Sequence, residues 1–392
     1  MIFLCAFGLS LMAVLALTPA VRSLATRLSF LDHPNRSKVH IKPTPLLGGI
    51  AVALASLASA AAALALVKCP YSARIVGFMS GGLVVIVLGL ADDANGMRPS
   101  VKLTGQTVAA VVMLLSGGVE GLPVPMLIGF PVAVFWMVGL MNAFNFLDNM
   151  DGITSGLAAI ASFGIFSLAL GNGHMLTAIA AIAVAGGALG FLRYNFAPAS
   201  IFLGDAGSLF LGYVVGGLSL RAVAGAEAGS QALLLPVLML GYPIFDAFLV
   251  TASRVIDGRD VAMGGKDHSS HRLARLGMTP RQTAVTIYLI SSALTGAAVY
   301  LSFRHAASPT LVAAATLAAI VGLAFLGLRL VRVPVPEKAL AVLREMGRDE
   351  GVVVEPDDED LLVLTLPARR SEPEPELPAV PAGRSRETIE AR

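Results

Sequence analysis

Long stretches with almost no charge set the solvent this chain must fold in. Eleven of them run 1–21, 48–67, 75–91, 103–119, 124–141, 152–171, 175–192, 206–220, 232–253, 282–303 and 306–328. A helix needs roughly 20 residues to cross about 30 Å of hydrocarbon, and most of these runs approach that length. Only helices or closed barrels satisfy the backbone inside lipid. The runs are continuous in Ala, Leu and Gly and lack the two-residue alternation of barrel strands. The expected fold is therefore all-α, a polytopic membrane helical bundle of about 11 transmembrane helices. Charged residues make up 14% of the chain, against about 25% in soluble domains, and the mean hydropathy is +0.77.

An odd number of spans puts the termini on opposite sides and lets the loops be compared. One set holds Arg22, Arg27, Arg36, Lys38, Lys42, Arg98, Lys102, Arg193, Arg254, Arg259, Lys266, Arg272, Arg275 and Arg281. The other holds only Lys68, Arg74, Arg221 and Arg304. Cytoplasmic loops carry the excess of Lys and Arg, so the first set is expected to face the cytoplasm, with the amino terminus outside and the carboxyl terminus inside. Residues 1–21 lack a cationic leader and are followed by Arg22 and Arg27, so they read as a first span and not as a cleaved signal. Cys5 and Cys69 sit in no metal or redox spacing.

Beyond about Arg329 the chain turns charged and Pro-rich. The expected organisation is a transmembrane domain over 1–330, a small soluble appendix over 331–368 and a disordered tail over 369–392. Within the appendix, 337–346 reads as a short helix, and 352–354 with 361–366 as a hairpin.

The acidic residues gather on the same side as the cations, which the positive-inside rule does not produce by itself. Every Asp before the tail, namely Asp32, Asp92, Asp93, Asp148, Asp151, Asp205, Asp246, Asp257, Asp260 and Asp267, falls in or beside a loop assigned to the cytoplasm. Several lie at span ends, where polar groups usually serve a site. Asp92 and Asp93 repel each other, so holding both ionised calls for a cation or basic neighbours; the alternative is a solvated helix end. Asn145, Asp148 and Asp151 are spaced by three and share a helix face, although Asp151 before Gly152 also suits an N-cap. Asp205 lies in Phe202-Leu-Gly-Asp-Ala-Gly-Ser at a helix start. Free N–H groups there suit phosphate, and the carboxylate suits Mg²⁺; a simple cap is the alternative. Asp246 follows Pro243 inside the ninth span and reads as a functional group or a polar brace.

The basic residues complete the pattern. His268, His271 and Arg272 in Gly-Gly-Lys-Asp-His-Ser-Ser-His-Arg form an anion site more readily than a zinc site, since no Cys and no third His lies near. Lys38, His40 and Lys42 belong to the first cytoplasmic loop and suit either a ligand or lipid headgroups. Carboxylates, cations and glycines from five loops, offered to one surface, point to Mg²⁺ and a phosphorylated substrate.

In order and spacing these motifs resemble the polyprenyl-phosphate N-acetylhexosamine-1-phosphate transferase family over roughly residues 31–276. The resemblance rests on the Lys-Val-His…Pro…Gly-Gly loop at 38–49, Asp92-Asp93, Asn142 to Gly152, Arg193-Tyr-Asn-Phe-Ala-Pro-Ala with 202–208, Pro243-Ile-Phe-Asp and the histidine loop. It implies a ten- or eleven-helix fold in a bacterial inner membrane with a cytoplasmic active site. It also implies transfer of a sugar 1-phosphate from a UDP-N-acetylhexosamine to polyprenyl (undecaprenyl) phosphate, releasing UMP, for cell-wall, lipopolysaccharide or teichoic acid synthesis. By the same resemblance Asp205 is the expected Mg²⁺ ligand, with Mn²⁺ as a substitute. Asp92, Asp93, Asp148, Asp151, His268 and His271 are the expected catalytic groups, and Lys42, Asn145, Asn195, Phe202 and Arg272 the substrate-binding ones. Many relatives carry His-x-His-His where this chain has His268-Ser-Ser-His271. The loop resembles the N-acetylglucosamine branch more than the muramyl-pentapeptide branch. The competing expectations are a phospho-MurNAc-pentapeptide transferase and a non-catalytic membrane transporter or lipid-binding scaffold. Nucleic acid is not an expected partner; a homodimer is.

Overall fold

The computed structural model describes residues 1–32, 43–69, 72–118, 120–122, 124–225, 232–256, 258–260, 265, 267–303, 316, 318–320 and 322–323, and the backbone of 353–356 and 362–365. The chain divides into two units, Met1–Val333 and Pro334–Arg392. In the second, strands Val353–Pro356 and Leu362–Thr365 pair antiparallel; the helix expected at 337–346 lies outside the described residues. The eleventh expected span, 306–328, also lies almost wholly outside them.

Among the described residues the regular structure of the first unit is helical apart from a two-residue antiparallel pair, Leu31–Asp32 with Thr44–Pro45. Its helices are α1 (Ile2–Arg27), α2 (Gly48–Leu66), α3 (Ala73–Asn95), α4 (Pro99–Met113, prolonged by a π turn Leu114–Gly118), α5 (Met126–Leu147), α6 (Ile153–Gly171), α7 (Met175–Asn195), α8 (Gly204–Ala222), α9 (Leu234–Met239), α10 (Gly241–Ile256), α11 (Ser269–Arg275) and α12 (Pro280–Phe303). Among the described residues eight helices are long and apolar enough to cross a membrane: α1 to α7, counting α4 with its π turn, and α12. The chain is a multi-pass, all-α membrane protein.

Two expected spans depart from that pattern for physical reasons. The ninth is not continuous: α9 stops at Met239 and α10 restarts at Gly241. Pro236 and Pro243, within this segment, each remove a backbone donor. The eighth, α8, is a full helix but falls short of a lipid-facing composition because it faces almost no lipid. All of its residues are buried except Asp205 at one end and Arg221 at the other.

Small residues let neighbouring backbones reach α8. Ser208, Gly212 and Gly216 recur every fourth residue and face α5 in antiparallel register: Asn145 bonds Ser208, Gly212 lies against Met141 and Gly216 against Met137. This is the small-residue packing that brings membrane helices together where no hydrophobic drive acts between them. At its start, α8 meets α3 and α2. A Cβ on Gly89 would sit 2.3 Å from the Ala206 Cα, and one on Gly49 would sit 2.1 Å from the Gly207 Cα. The first N–H groups of α2 are satisfied by carbonyls leading into α8, Gly48 N–H to Phe202 O at 3.0 Å and Gly49 N–H to Leu203 O at 2.8 Å. Polar anchors add to this: Tyr213 donates to Phe78 O at 2.9 Å and Trp136 to Ser219 Oγ at 3.1 Å.

Because the atoms facing Gly49 are backbone, no rotamer change can relieve a new methyl. Gly49→Ala is expected to lower stability in detergent by about 1–3 kcal/mol, the usual cost of overpacking, whereas Gly139→Ala, with nothing within 4 Å, should leave the thermal midpoint unchanged. Equal midpoints for both variants would contradict this packing.

Candidate active site

The C-terminal end of α3, the start of α4, the end of α5 and the start of α8 meet at one end of the bundle. There the two adjacent carboxylates of α3 part company, since successive residues of a helix point about 100° apart. Asp93 turns to α8, accepting the Asp205 N–H at 2.8 Å and the Ala206 N–H at 3.2 Å. Helix N-termini leave such donors unpaired and carry partial positive charge. No side-chain cap comes from the residue preceding α8, Leu203, so a carboxylate from another helix does that work. Gly204 makes room: its φ is +74°, and a Cβ there would lie 2.7 Å from Asp93 Oδ2.

Asp92 turns the other way and meets Lys102 Nζ at 2.7 Å. The same ammonium bonds the Asp205 carboxylate and donates to Asn145 Oδ1 at 3.1 Å. Asn145 in turn donates through Nδ2 to Asp205 Oδ1 at 2.8 Å and to Ser208 Oγ at 3.0 Å, which fixes the carboxylate's orientation. The Asp205 side chain is 31% exposed, against 12% for Asp92 and 15% for Lys102, so of these three it is the most open to a ligand.

Asp148 follows the last turn of α5. Burial pushes its carboxyl well above the usual carboxylate range, the charges of Asp205, Asp93 and Asp151 add to the rise, and a hydrogen bond with Thr154 opposes it. Asp151 accepts the Ala199 N–H at 2.8 Å, which ties the α5–α6 turn to the loop before α8. Within that loop's frame Asn195 is buried, accepting from Ser155 at 3.1 Å and donating to Ile201 O at 3.1 Å, so its amide braces the wall behind the cluster. Phe202 sits beside it, its N–H bonded to Pro45 O at 2.8 Å. Lys42 lies outside the described residues.

The histidine loop forms a second cluster packed on the α5–α6 turn. Asp246 of α10 is fully buried. One oxygen faces His268 Nδ1 at 2.8 Å, and the other accepts the Ser269 N–H at 2.7 Å and the Ser269 hydroxyl at 2.5 Å. An ionised carboxylate only accepts, so the imidazole proton facing it is on Nδ1. Ser270 donates to Asn149 Oδ1 at 2.6 Å, and the His268 ring meets Phe146 edge-on at 6.1 Å and His271 at 6.2 Å. Arg272 donates to Asp267 O and to Ser253 Oγ, both at 2.7 Å. Asp267 is held below the usual carboxylate range: burial works against ionisation, but hydrogen bonds and charge from Arg254 and Arg259 outweigh it.

The structure thus joins Asp92, Asp93, Asn145 and Asp205 in one network, sets Asp148 within reach of its charge, and places His268, His271 and Arg272 in an adjoining one. Lys102 was legible only as a topology-setting cation, yet it is the hub. The available signal was an ammonium ten residues after Asp92, just inside an otherwise apolar helix that starts at Pro99. Asp246 appeared in the motif list without a partner; His268 is that partner. The bond between Asn149 and Ser270 carried no signal, since it joins residues 121 positions apart.

The donor set suits a hard cation. Two carboxylates and an amide oxygen converge where a single ammonium now stands, and few carboxylates with room for phosphate oxygens is the pattern Mg²⁺ prefers. Two carboxylates share one ammonium here among the described residues, with Asp93 beside them on the α8 amides, so an anionic ligand needs further positive charge to approach.

The profile of glycosyl transferase family 4 matches residues 75–223, from the start of α3 to the end of α8. A Bacillus subtilis protein named "Probable undecaprenyl-phosphate N-acetylglucosaminyl 1-phosphate transferase" is 34% identical over 294 residues, covering 73% of this chain and 81% of that protein. A decaprenyl-phosphate N-acetylglucosaminephosphotransferase of Mycobacterium tuberculosis is 30% identical, covering 69% of this chain and 76% of its own. A phospho-N-acetylmuramoyl-pentapeptide-transferase of Desulforudis audaxviator is 34% identical over 56% of this chain and 75% of its own. With its carboxylate-bearing helices inside the matched span and relatives aligned over most of their length, the chain belongs to glycosyl transferase family 4.

Proposed function

We propose that this enzyme transfers N-acetylglucosamine 1-phosphate from UDP-N-acetylglucosamine to polyprenyl phosphate in the bacterial cytoplasmic membrane. An oxygen of the lipid phosphate attacks the β-phosphorus, the bond from that phosphorus to the bridging oxygen breaks, and UMP leaves with that oxygen. The observation that carries the reading is the Lys102 hub, where Asp92, Asp205 and Asn145 converge at one end of a membrane bundle. Both substrates are anions, so charge neutralisation and positioning are the main catalytic needs.

Lys102 supplies positive charge to the phosphates, its ammonium released from Asp92 and Asp205 when a metal takes their oxygens. Asn145 holds the Asp205 carboxylate in place, and Asp93 stays with the α8 amides, pinning the helix start on which Asp205 is carried. Mg²⁺, or Mn²⁺, would be held by oxygens of Asp205, Asp92 and Asn145, and when bound it would neutralise diphosphate charge. Asp148 and Asp151 shape the nucleotide side of the site. His268 and His271 face the sugar diphosphate, with Arg272 bracing their loop. The lysine and arginine asymmetry of the loops supports a cytoplasmic position for this end of the bundle and for the carboxyl terminus, with residues 331–368 as a soluble appendix there.

Release of UMP by purified enzyme with polyprenyl phosphate tests this. Asp205→Asn is expected to lower turnover by roughly 100-fold or more while leaving the thermal midpoint near wild type, and chelation should stop the reaction until Mg²⁺ is restored. Full activity in Asp205→Asn, or in chelator, would remove the metal assignment. Lys102→Gln should lose turnover on a similar scale, with Lys102→Arg recovering part of it because charge is kept and geometry is not; an active Lys102→Gln would remove the hub from the mechanism.

A further inference from the structure

The other exposed end of α8 lies a full helix away from the Asp205 cluster. Arg221, in its last turn, is half-buried, and its guanidinium donates to the Glu120 backbone carbonyl at 2.6 Å; among the described residues no carboxylate lies within ion-pair distance of it. The Glu120 carboxylate is taken by Arg74, at the start of α3. Among the described residues two guanidinium groups and one carboxylate therefore stand together, an excess of one positive charge.

Beneath them lies a half-open cavity of about 250 Å³ between α2, α3, α7 and α8, with Arg74, His174 and Arg221 among its lining residues. Its walls include Leu64, Phe78, Ala180 and Leu218, and it reaches Val184 and Val214 in the middle of the bundle. From Arg221 to Val214 is seven residues, roughly 10 Å of helix rise. A cationic rim over an apolar shaft within the bilayer matches neither a soluble anion, which has no use for the shaft, nor a zwitterionic headgroup, whose zero net charge would leave the rim's excess positive charge unmet.

We propose that this cavity is a binding site for an anionic phospholipid, with the phosphodiester against Arg221 and Arg74 and one acyl chain between α2, α3, α7 and α8. The site lies at the end of the bundle opposite the Asp205 cluster. Its occupant clamps four helices around the end of α8.

Delipidated full-length protein in detergent is titrated with phosphatidylglycerol, phosphatidylcholine or inorganic phosphate, reading the thermal midpoint and the adducts kept in native mass spectra. A ligand that binds only the folded state raises the midpoint. Phosphatidylglycerol is expected to raise it and to persist as one adduct, while phosphatidylcholine and phosphate at the same concentration do neither. Arg221→Gln and the cavity-filling Ala180→Leu should each weaken the phosphatidylglycerol effect at least tenfold, and Arg221→Lys should retain most of it. An equal response to phosphatidylcholine, an equal response to phosphate, or undiminished binding by Arg221→Gln would overturn the proposal. Should Ala180→Leu fail to give a cooperative transition, the comparison of Arg221→Gln with Arg221→Lys decides alone.

Discussion

A helix enclosed by protein along its whole length must be thin enough for its neighbours to approach and must have its end groups satisfied from outside itself. α8 meets the first demand with Ser208, Gly212 and Gly216 against α5, and with Gly207 against Gly49 of α2. It meets the second through the Asp93 carboxylate, which takes the N–H groups of Asp205 and Ala206. The rest of the bundle follows from these contacts. α3 must end where α8 begins, α2 must start beside it, and α5 must run antiparallel along it. Asp205 is placed at the meeting point because it sits on the first turn of that helix.

The same arrangement concentrates negative charge where the proposed substrates are also negative. Ionised carboxylates removed from water are costly unless paired, and the pairing is shared among Lys102, Asn145 and the α8 backbone. Asp93 is compensated by peptide dipoles alone, which leaves Lys102 for Asp92 and Asp205. A buried ammonium with two carboxylates is a firm anchor, and it still leaves Asp205 partly open. The histidine loop is organised on the same plan, with a buried Asp246 holding His268 and Ser269 while Ser270 ties the loop to Asn149. Ser270, at a position where many relatives carry an imidazole, spends its hydroxyl on that tie.

Hydropathy made most of the helices legible, because lipid demands long apolar runs. It could not show that α8 is enclosed or that the ninth span breaks at Leu240, since both depend on what surrounds the segment. The carboxylates were legible as a group from their loops, and their division of labour was not: Asp92 and Asp93 look equivalent in sequence and differ only by the direction each faces on α3. Lys102 was hidden among the cations that set topology, as its partners come from α3, α5 and α8. Asn195 showed the reverse, a residue in a recognisable motif whose amide is spent on Ser155 and Ile201. Asp246 needed the fold to supply His268, 22 positions away.

What this enzyme joins to what is read from the mass of its lipid product. Purified enzyme with Mg²⁺ and undecaprenyl phosphate is offered UDP-N-acetylglucosamine and UDP-MurNAc-pentapeptide together, and the lipid products are weighed. Undecaprenyl-diphospho-N-acetylglucosamine is the expected product, with one UMP released per molecule. A muramyl-pentapeptide lipid as the main product would contradict the donor assignment, and no lipid product from either donor would contradict the transferase reading itself.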